Sequence, residues 1–268
     1  MKICFWNTQR NFGLSQTSLS WPRADYQIAC EVLGEDTLKV SKQNRRRHMA
    51  QLGYRVVKPI HNVYLEEVEL DNFNTLTGDK IWLSGGNFFK KQSKRQVAQV
   101  YATYPARLNE NIFVYHCNSS PRAPSLMTWV IAQLVTDYYD FILLGDFNCE
   151  PDALMSHLSY LFKTCSNEDL QGDLAGVRVI WSGYTHNAKY GATSTLDYIV
   201  TKNRAYELRV DTSTQDADHF PIVANDSAII FNGTYIERKT WSHNRFSWSA
   251  VWKRVYNNNG CVAWELVG

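Results

Sequence analysis

Short apolar segments that end on a polar, chemically reactive side chain recur along this chain, and this pattern limits what it can fold into. The run FILL at 141–144 has the length and apolar content of a buried strand, and Gly145 marks the turn out of it. Asp146 and Asn148 follow at once, so the strand would deliver two polar side chains to the mouth of a sheet. One such pattern alone is more often a strand followed by an ordinary Asp/Asn turn.

The apolar segments alternate with helical ones, which is typical of an α/β fold. Strands are predicted for KICFWN, YQIAC, RVVKPI, KIWLSG, VAQVYATY, NIFVYHC, FILLGDF, TLDYIVT and YELRVD. Helices are predicted at 39–52, 124–137 and 152–162. Because no repeat or Pro/Ser/Gly-rich linker divides the chain, residues 1–230 are predicted to form one α/β domain. Residues 231–268, a basic segment with four of the nine tryptophans, are predicted to be an extension packed on or beside that domain.

The composition is typical of a soluble globular protein. The chain has 268 residues, 44% of them hydrophobic, which is enough for a sizeable core. No run approaches the ~18 apolar residues of a membrane-spanning helix, and the start MKICFWNTQR does not resemble a signal peptide. We therefore expect no membrane span and a cytoplasmic location, with delivery into another cell by a non-Sec route left open. Six cysteines without a CxxC pair or metal-type spacing predict reduced thiols, and neither disulfides nor zinc.

Ionisable and amide side chains stand at the ends of several predicted strands. They are Asn7, Glu31, His116, Asp146, Asn148, Asp197, Asp218 and His219. Carboxylates and imidazoles are costly to bury without partners, so a set of them at the ends of core strands is expected to converge. The sequence therefore predicts an active site there. The other five histidines, at 48, 61, 157, 186 and 243, match no pattern and are predicted to lie on the surface.

Six motifs resemble the endonuclease/exonuclease/phosphatase superfamily, in that family's order. They are WN at 6–7, CEV at 30–32, YHCNS at 115–119, GDFN at 145–148, LDYIV at 196–200 and DHFP at 218–221. The resemblance spans nearly all of residues 1–225, and GATSTLDYIVTKN and DADHFPIV are most similar to the catalytic subunit of cytolethal distending toxin, followed by deoxyribonuclease I. It implies a four-layer α/β sandwich, in which two packed mixed β-sheets are flanked by helices and the site lies at the sheet edges.

The same resemblance implies a role for each residue. His219 corresponds to the general base, oriented by Asp197, and His116 to an opposing phosphate ligand or general acid, for which Asp79 is the candidate carboxylate partner. Asp146 and Asn148 would position the attacking water and the phosphate. Mg²⁺ or Mn²⁺ would be held by oxygen ligands, and the residues assigned to it are Asn7, Glu31 and Asp218. Cys30 departs from the family, which usually has a glutamine before this glutamate.

The implied activity is metal-dependent phosphodiester hydrolysis, with nucleic acid as the partner. A basic run includes Lys90, Lys91, Lys94 and Arg95, and Arg95 stands where the deoxyribonuclease and toxin branches carry a phosphate-contacting arginine. Such a strip fits a polyanionic backbone, and Asn187 is a further candidate substrate contact. We therefore predict a DNA endonuclease of little sequence specificity. An inositol-phosphate or phosphoinositide phosphatase on the same site, and an inactive binding module, are the alternatives.

Overall fold

Two β-sheets form the framework of the protein in a computed structural model. It describes residues 1–8, 22, 24–31, 54–56, 63–68, 70, 97–102, 111–187, 193–213, 217–226, 234–256 and 262–268. The first sheet has five strands, in the order β12 (Tyr206–Val210), β13 (Ile222–Asp226), β1 (Lys2–Asn7), β2 (Tyr26–Cys30) and β3 (Tyr54–Val56). Strands β1 and β2 are parallel, and the other pairs in this sheet are antiparallel.

The second sheet has nine strands. Their order is β14 (Thr234–His243), β15 (Phe246–Tyr256), β16 (Val262–Leu266), β8 (Val177–Trp181), β11 (Asp197–Lys202), β7 (Phe141–Asp146), β6 (Ile112–Val114), β5 (Ala98–Ala102) and β4 (Val63–Glu67). Only β6 and β7 are parallel neighbours in it. A short ribbon of β9 (His186–Asn187) and β10 (Thr193–Ser194) lies outside both sheets.

The two sheets pack face to face, with helices on the larger one. Strand β1 contacts β7, and β12 contacts β8 and β11, so the small sheet covers the middle of the large one. Three helices, α1 (Ala123–Asp137), α2 (Pro151–Thr164) and α3 (Glu168–Leu174), contact one another, and α2 also packs on β8 and β15. Every residue of β7 and β11 is buried, because both faces of the large sheet are covered there.

The predicted fold class, an α/β sandwich of two packed mixed sheets, is confirmed. The described residues supply three of the four expected layers, and the helix predicted at 39–52 lies outside them. The other two predicted helices match α1 and α2 within two residues. The elements that were not predicted are helix α3 and strands β4, β8, β9, β10, β13, β14, β15 and β16, several of which are short or have charged residues among their apolar ones.

Six of the nine predicted strands are present, and the other three are shorter than predicted or lie partly or wholly outside the described residues. The run NIFVYHC forms a strand only over β6, although the chain continues beside β7, where Tyr115 N donates to Leu144 O and Cys117 N to Asp146 O. The run RVVKPI is described only through Val56, as part of β3, and KIWLSG lies outside the described residues.

The C-terminal segment continues the large sheet. Strand β16 pairs with β8, and the hairpin of β14 and β15 extends the sheet beyond it. The hairpin is tied to α2 by two tryptophans: Trp252 Nε1 donates to Ser159 Oγ at 2.9 Å, and Trp248 Nε1 donates to Ser156 O at 2.9 Å. Trp252 is fully buried, which favours its use in packing over stacking on a ligand. The division near residue 230 stays a prediction.

Candidate active site

The topology brings the predicted strand ends to one place. Strands β1 and β2 are parallel, so Asn7 and Glu31 stand at the same edge of the small sheet. Strands β6 and β7 are also parallel, which places His116 and Asp146 together at an edge of the large sheet. Strand β11 runs antiparallel to β7, and its first residue, Asp197, pairs directly with Asp146. Contacts between the side chains join these edges into one cluster.

Asp146 lies at the centre of the cluster and is only 1% exposed. Its Oδ2 accepts a hydrogen bond from Asn7 Nδ2 at 2.8 Å, and its Oδ1 accepts one from Asn148 N at 3.0 Å. Asn148 has a positive φ of 51° and donates from Nδ2 to Cys117 O at 2.8 Å. Burial and the charge of Asp197 raise the pKa of Asp146 to about 7, against the lowering effects of His219 and the two asparagines.

His219 is held by a carboxylate on one side and faces the cluster on the other. Its Nδ1 donates to Asp197 Oδ2 at 2.7 Å, and its Nε2 lies 3.9 Å from both Asp146 Oδ2 and Asp218 Oδ1. Trp6 Nε1 donates to the His219 carbonyl at 2.8 Å and so ties this loop to β1. Burial lowers the pKa of His219, but the charge and hydrogen bond of Asp197, with the charges of Asp146 and Asp218, raise it to about 9.

His116 is the second imidazole that contacts Asp146. Its Nε2 lies 3.4 Å from Asp146 Oδ2 and 3.4 Å from Glu31 Oε1, and the side chain is buried. Glu31 is partly exposed and has a positive φ of 51°. The carboxylates next to His116 are therefore Glu31 and Asp146, while Asp79, the partner suggested by the family resemblance, lies outside the described residues. The two histidines thus flank one buried carboxylate.

Of the four predicted substrate contacts, the structure describes only Asn187. Asn187 has an exposed side chain in β9, and its backbone N–H donates to Asp218 O at 2.8 Å. Lys91, Lys94 and Arg95 lie outside the described residues. The catalytic, substrate and metal roles assigned from the sequence therefore stay predictions, although the eight proposed catalytic and metal residues meet in one region.

His186 is a member of this region that the sequence did not reveal, and the prediction that it lies on the surface is wrong. Its side chain is half-buried, its ring centroid lies 4.7 Å from that of His219, and its Nε2 lies 3.5 Å from Asp218 Oδ2. A backbone bridge between His186 and His219 creates this contact. The two residues are 33 positions apart, so no local spacing could have indicated the pairing.

Thr185 is a second residue that sequence analysis missed. It is fully buried, and its Oγ1 accepts hydrogen bonds from the backbone N–H groups of Leu196 (3.0 Å) and Asp197 (2.9 Å). This hydroxyl holds the start of β11, and hence Asp197, in position. Among the other histidines, His243 is exposed as predicted, His157 is a partly buried residue of α2, and His48 and His61 lie outside the described residues.

The cluster has the donor chemistry of a cation site. Two sets of three groups have ligand atoms within 4.8 Å of one another: Asp146, Asp197 and His219, and His186, Asp218 and His219. Asp146 and Asp197 are like charges buried on paired strands, and among the described residues Asp197 Oδ1 has no hydrogen-bond partner. A divalent cation would relieve this repulsion, so the residues present fit the Mg²⁺ or Mn²⁺ that the family resemblance implies.

The fold and the site together define a two-sheet α/β sandwich with a buried carboxylate–histidine cluster at one edge. No family model matches the chain, and no curated protein matches it by sequence. Among the described residues, no helix is long and apolar enough to cross a membrane.

Several solved structures are similar to this chain. One is the endonuclease domain of TRAS1, a telomere-specific non-LTR retrotransposon, with 14% identity, a TM-score of 0.47, and 84% of this chain and 97% of that chain covered. The APE2 catalytic domain of Xenopus laevis has 14% identity and a TM-score of 0.46, covering 84% and 91%. The inositol polyphosphate 5-phosphatase domain of SPsynaptojanin has 10% identity and a TM-score of 0.41, covering 83% and 82%.

All three are members of the endonuclease/exonuclease/phosphatase superfamily, which is the family that the sequence motifs resemble. Because these TM-scores are below 0.5, the similarities assign no activity or substrate to this chain.

Proposed function

We propose that this protein is a divalent-metal-dependent phosphodiesterase that cleaves DNA with little sequence specificity. The observation that carries the proposal is the buried His219–Asp197 pair, in which His219 Nε2 lies 3.9 Å from Asp146 Oδ2, the oxygen that also lies 3.4 Å from His116 Nε2. Hydrolysis of a phosphodiester needs an activated water, stabilisation of charge on the phosphate, and a proton for the leaving oxygen. Two imidazoles flanking a buried carboxylate supply groups for the first and third of these needs.

The proposed mechanism assigns the proton transfers to the two histidines. Asp197 holds His219 Nδ1, which fixes the tautomer and leaves Nε2 to accept a proton from the attacking water. His116 Nε2 then donates a hydrogen bond to the phosphate or a proton to the leaving oxygen. Asn7 and Asn148 hold the Asp146 carboxylate between the two imidazoles, so that it can orient the water.

Glu31, Asn7 and Asp218 are the residues proposed to hold the cation. When bound, Mg²⁺ or Mn²⁺ would neutralise charge on the phosphate that develops during hydrolysis. Burial lowers the pKa of His219, and the charge and hydrogen bond of Asp197, with the charges of Asp146 and Asp218, raise it to about 9.

The choice of DNA as substrate rests on the basic run that contains Lys90, Lys91, Lys94 and Arg95. Four cations within six residues, close in sequence to a phosphodiesterase site, suit the sequence-independent contacts that a nucleic-acid backbone offers. Small inositol phosphates would need a compact pocket instead of an extended strip.

A plasmid-nicking assay with Mg²⁺, run beside phosphate release from inositol phosphates, tests the proposal. We expect nicking of supercoiled DNA that stops with EDTA and returns when Mg²⁺ or Mn²⁺ is added in excess. Phosphate release without nicking would instead establish the phosphatase. Nicking that continues undiminished in EDTA would overturn the metal assignment, and inactivity on both substrates would favour the binding module.

A further inference from the structure

Two imidazoles meet one carboxylate beside the proposed catalytic pair. His186 Nε2 lies 3.5 Å from Asp218 Oδ2, and His219 Nε2 lies 3.9 Å from Asp218 Oδ1. The carboxyl group of Asp218 therefore has one histidine nitrogen near each oxygen. This trio has ligand atoms within 4.8 Å of one another.

Each imidazole is oriented through its other nitrogen. His219 Nδ1 is bonded to Asp197 Oδ2 at 2.7 Å, and His186 Nδ1 is bonded to Ser194 Oγ at 3.0 Å. Histidines that ligate metals almost always use the second ring nitrogen in this way, which fixes the tautomer and presents Nε2 to the ion. Both rings here have that arrangement.

The backbone holds the three ligands close together. An isolated β-bridge joins His186 to His219, and Asn187 N donates to Asp218 O at 2.8 Å. In a tetrahedral zinc site, ligand atoms at ~2.0–2.1 Å from the ion stand about 3.3–3.4 Å apart. The histidine nitrogens lie 3.5 Å from Asp218 Oδ2 and 3.9 Å from its Oδ1, so an ion between them would be held by both carboxylate oxygens, or by one of them after the carboxylate turns.

We propose that His186, Asp218 and His219 form a site for a transition-metal ion of the Zn²⁺ class, separate in its chemistry from the Mg²⁺ site. Two imidazoles and one carboxylate suit Zn²⁺, whereas Mg²⁺ selects oxygen ligands. His186 and Asp218 are both partly exposed, which leaves the ion a route to solvent and a fourth position for water.

Occupation of this site has a consequence for catalysis, which rests on the proposed function. A His219 Nε2 that ligates Zn²⁺ has no lone pair left to accept a proton from water. Asp218 is also shared with the proposed Mg²⁺ ligands. Zn²⁺ bound at this site therefore inhibits the enzyme, because it occupies His219 and Asp218. His186 is the ligand that belongs to the zinc site and not to the proposed Mg²⁺ site.

Metal binding to the full chain tests the site independently of any activity. Co²⁺ absorbance and Zn²⁺ calorimetry at about pH 8 should show one ion bound to the wild type, with release of the proton that His219 carries in the metal-free protein. His186→Phe should lose at least tenfold in affinity for the ion. Ser194→Ala keeps all three ligands but removes the hydrogen bond that orients the His186 ring, so it should lose ~10-fold in affinity. His243→Phe, at an exposed histidine of the β14–β15 hairpin, is the matched control and should bind as the wild type does. Equal affinity in the wild type and both site variants, or no binding at all, would overturn the proposal.

The inhibition is measured on DNA nicking at fixed Mg²⁺. The Zn²⁺ concentration that halves the rate should rise at least tenfold in His186→Phe relative to its own zinc-free rate. An unchanged value would refute the inhibitory role. If the protein cuts no DNA at all, the proposed function fails, yet the binding measurements still decide whether the metal site exists.

Discussion

Asp146 and Asp197 stand opposite each other on β7 and β11, and their mutual repulsion is the main electrostatic problem of the site. Hydrogen bonds stabilise each carboxylate: Asp146 accepts hydrogen bonds from Asn7 and Asn148, and Asp197 accepts one from the His219 imidazole. Oδ2 of Asp197 thus interacts with a single imidazole, that of His219. The second oxygen of Asp197 is left for a cation or a mobile donor.

The His219–Asp197 pair should behave as one unit in kinetics. His219→Ala should lower the rate of DNA cleavage by the ~10²–10⁴-fold typical of a lost acid/base group, with little change in substrate binding. Asp197→Asn keeps the shape but offers the ring the wrong partner, so we expect a comparable loss. The double variant should be little slower than either single variant.

Single-turnover cleavage rates measure all three variants, with His243→Ala as the control at an exposed histidine. If the two losses multiply, Asp197 acts independently of His219 and the pairing in the proposed mechanism is wrong. Rates in the control should match the wild type within twofold.

Gly145 occupies a position where a side chain has no room. A Cβ there would lie 1.8 Å from the Tyr115 carbonyl oxygen and 2.8 Å from Phe147 Cε1. Because the carbonyl is backbone, Gly145→Ala must push β7 away from the chain that carries His116. We expect the free energy of unfolding to fall by ~1–3 kcal/mol or more, measured by urea denaturation.

Gly172, inside α3, is the matched control for this substitution. Nothing lies within 4 Å of a Cβ built there, so Gly172→Ala should stabilise the protein by ~0.5–1 kcal/mol through helix propensity. Equal effects of the two changes on stability would show that the close approach at Gly145 is not a constraint.

Helix α2 and the β14–β15 hairpin depend on each other. Trp241 Nε1 donates to Asp152 Oδ2 at 3.2 Å, the ring of Trp248 meets Tyr160 edge-on at 5.3 Å, and Trp252 is buried against Ser159. Helix α2 begins three residues after Asn148, so the hairpin braces the element that follows the catalytic loop. The tryptophans here are primarily structural.

Trp252→Ala should therefore destabilise the fold strongly. Removing a buried tryptophan leaves a large cavity, and losses of ~3–5 kcal/mol are typical. Phe246→Ala, at the tip of the same hairpin where the side chain is 75% exposed, should change stability by about 0.5 kcal/mol or less. Chemical denaturation measures the free energy of unfolding of both variants. Equal stability of Trp252→Ala and Phe246→Ala would contradict the structural role of Trp252.

At the level of the entire molecule, the site draws on both sheets, so it exists only when the sandwich is assembled. Asn7 and Glu31 belong to the small sheet, whereas His116, Asp146 and Asp197 belong to the large one. The cluster lies where the strands of both sheets end. A long polyanion bound there would extend beyond the cluster on to the surrounding surface.

The basic run should supply that longer contact if the substrate is DNA. Replacing Lys90, Lys91 and Lys94 with glutamine should weaken binding to all sequences alike and reduce the salt dependence, with a slope change of about one per lost phosphate contact. Binding measured across a range of salt concentrations checks this. Lys163→Gln, on the exposed end of α2, is the control and should leave the slope unchanged. An unchanged salt dependence of binding after the triple substitution would favour a small phosphate substrate.

Much of this protein could be predicted because its local patterns are strong. Buried strands such as β1, β7 and β11 each contain a run of three or four apolar residues, so their positions and the polar residues at their ends can be predicted from the local sequence. Asn7, Asp146 and Asp197 were found in this way, as were helices α1 and α2. Strand β4 has only three apolar residues before two glutamates, and helix α3 has only two leucines among seven residues, so their local patterns were too weak to predict them.

Which residues touch depends on pairing between distant segments, and no local pattern encodes it. Asp197 faces Asp146 because β11 and β7 pair in one register, and a shift by one residue would turn each side chain to the other face of the sheet. His186 joins His219 through a single backbone bridge across 33 positions, so it passed for an ordinary surface histidine. Strand ends and residue chemistry are local properties, readable from neighbours in the chain, whereas register and packing come from the burial of both sheets against each other.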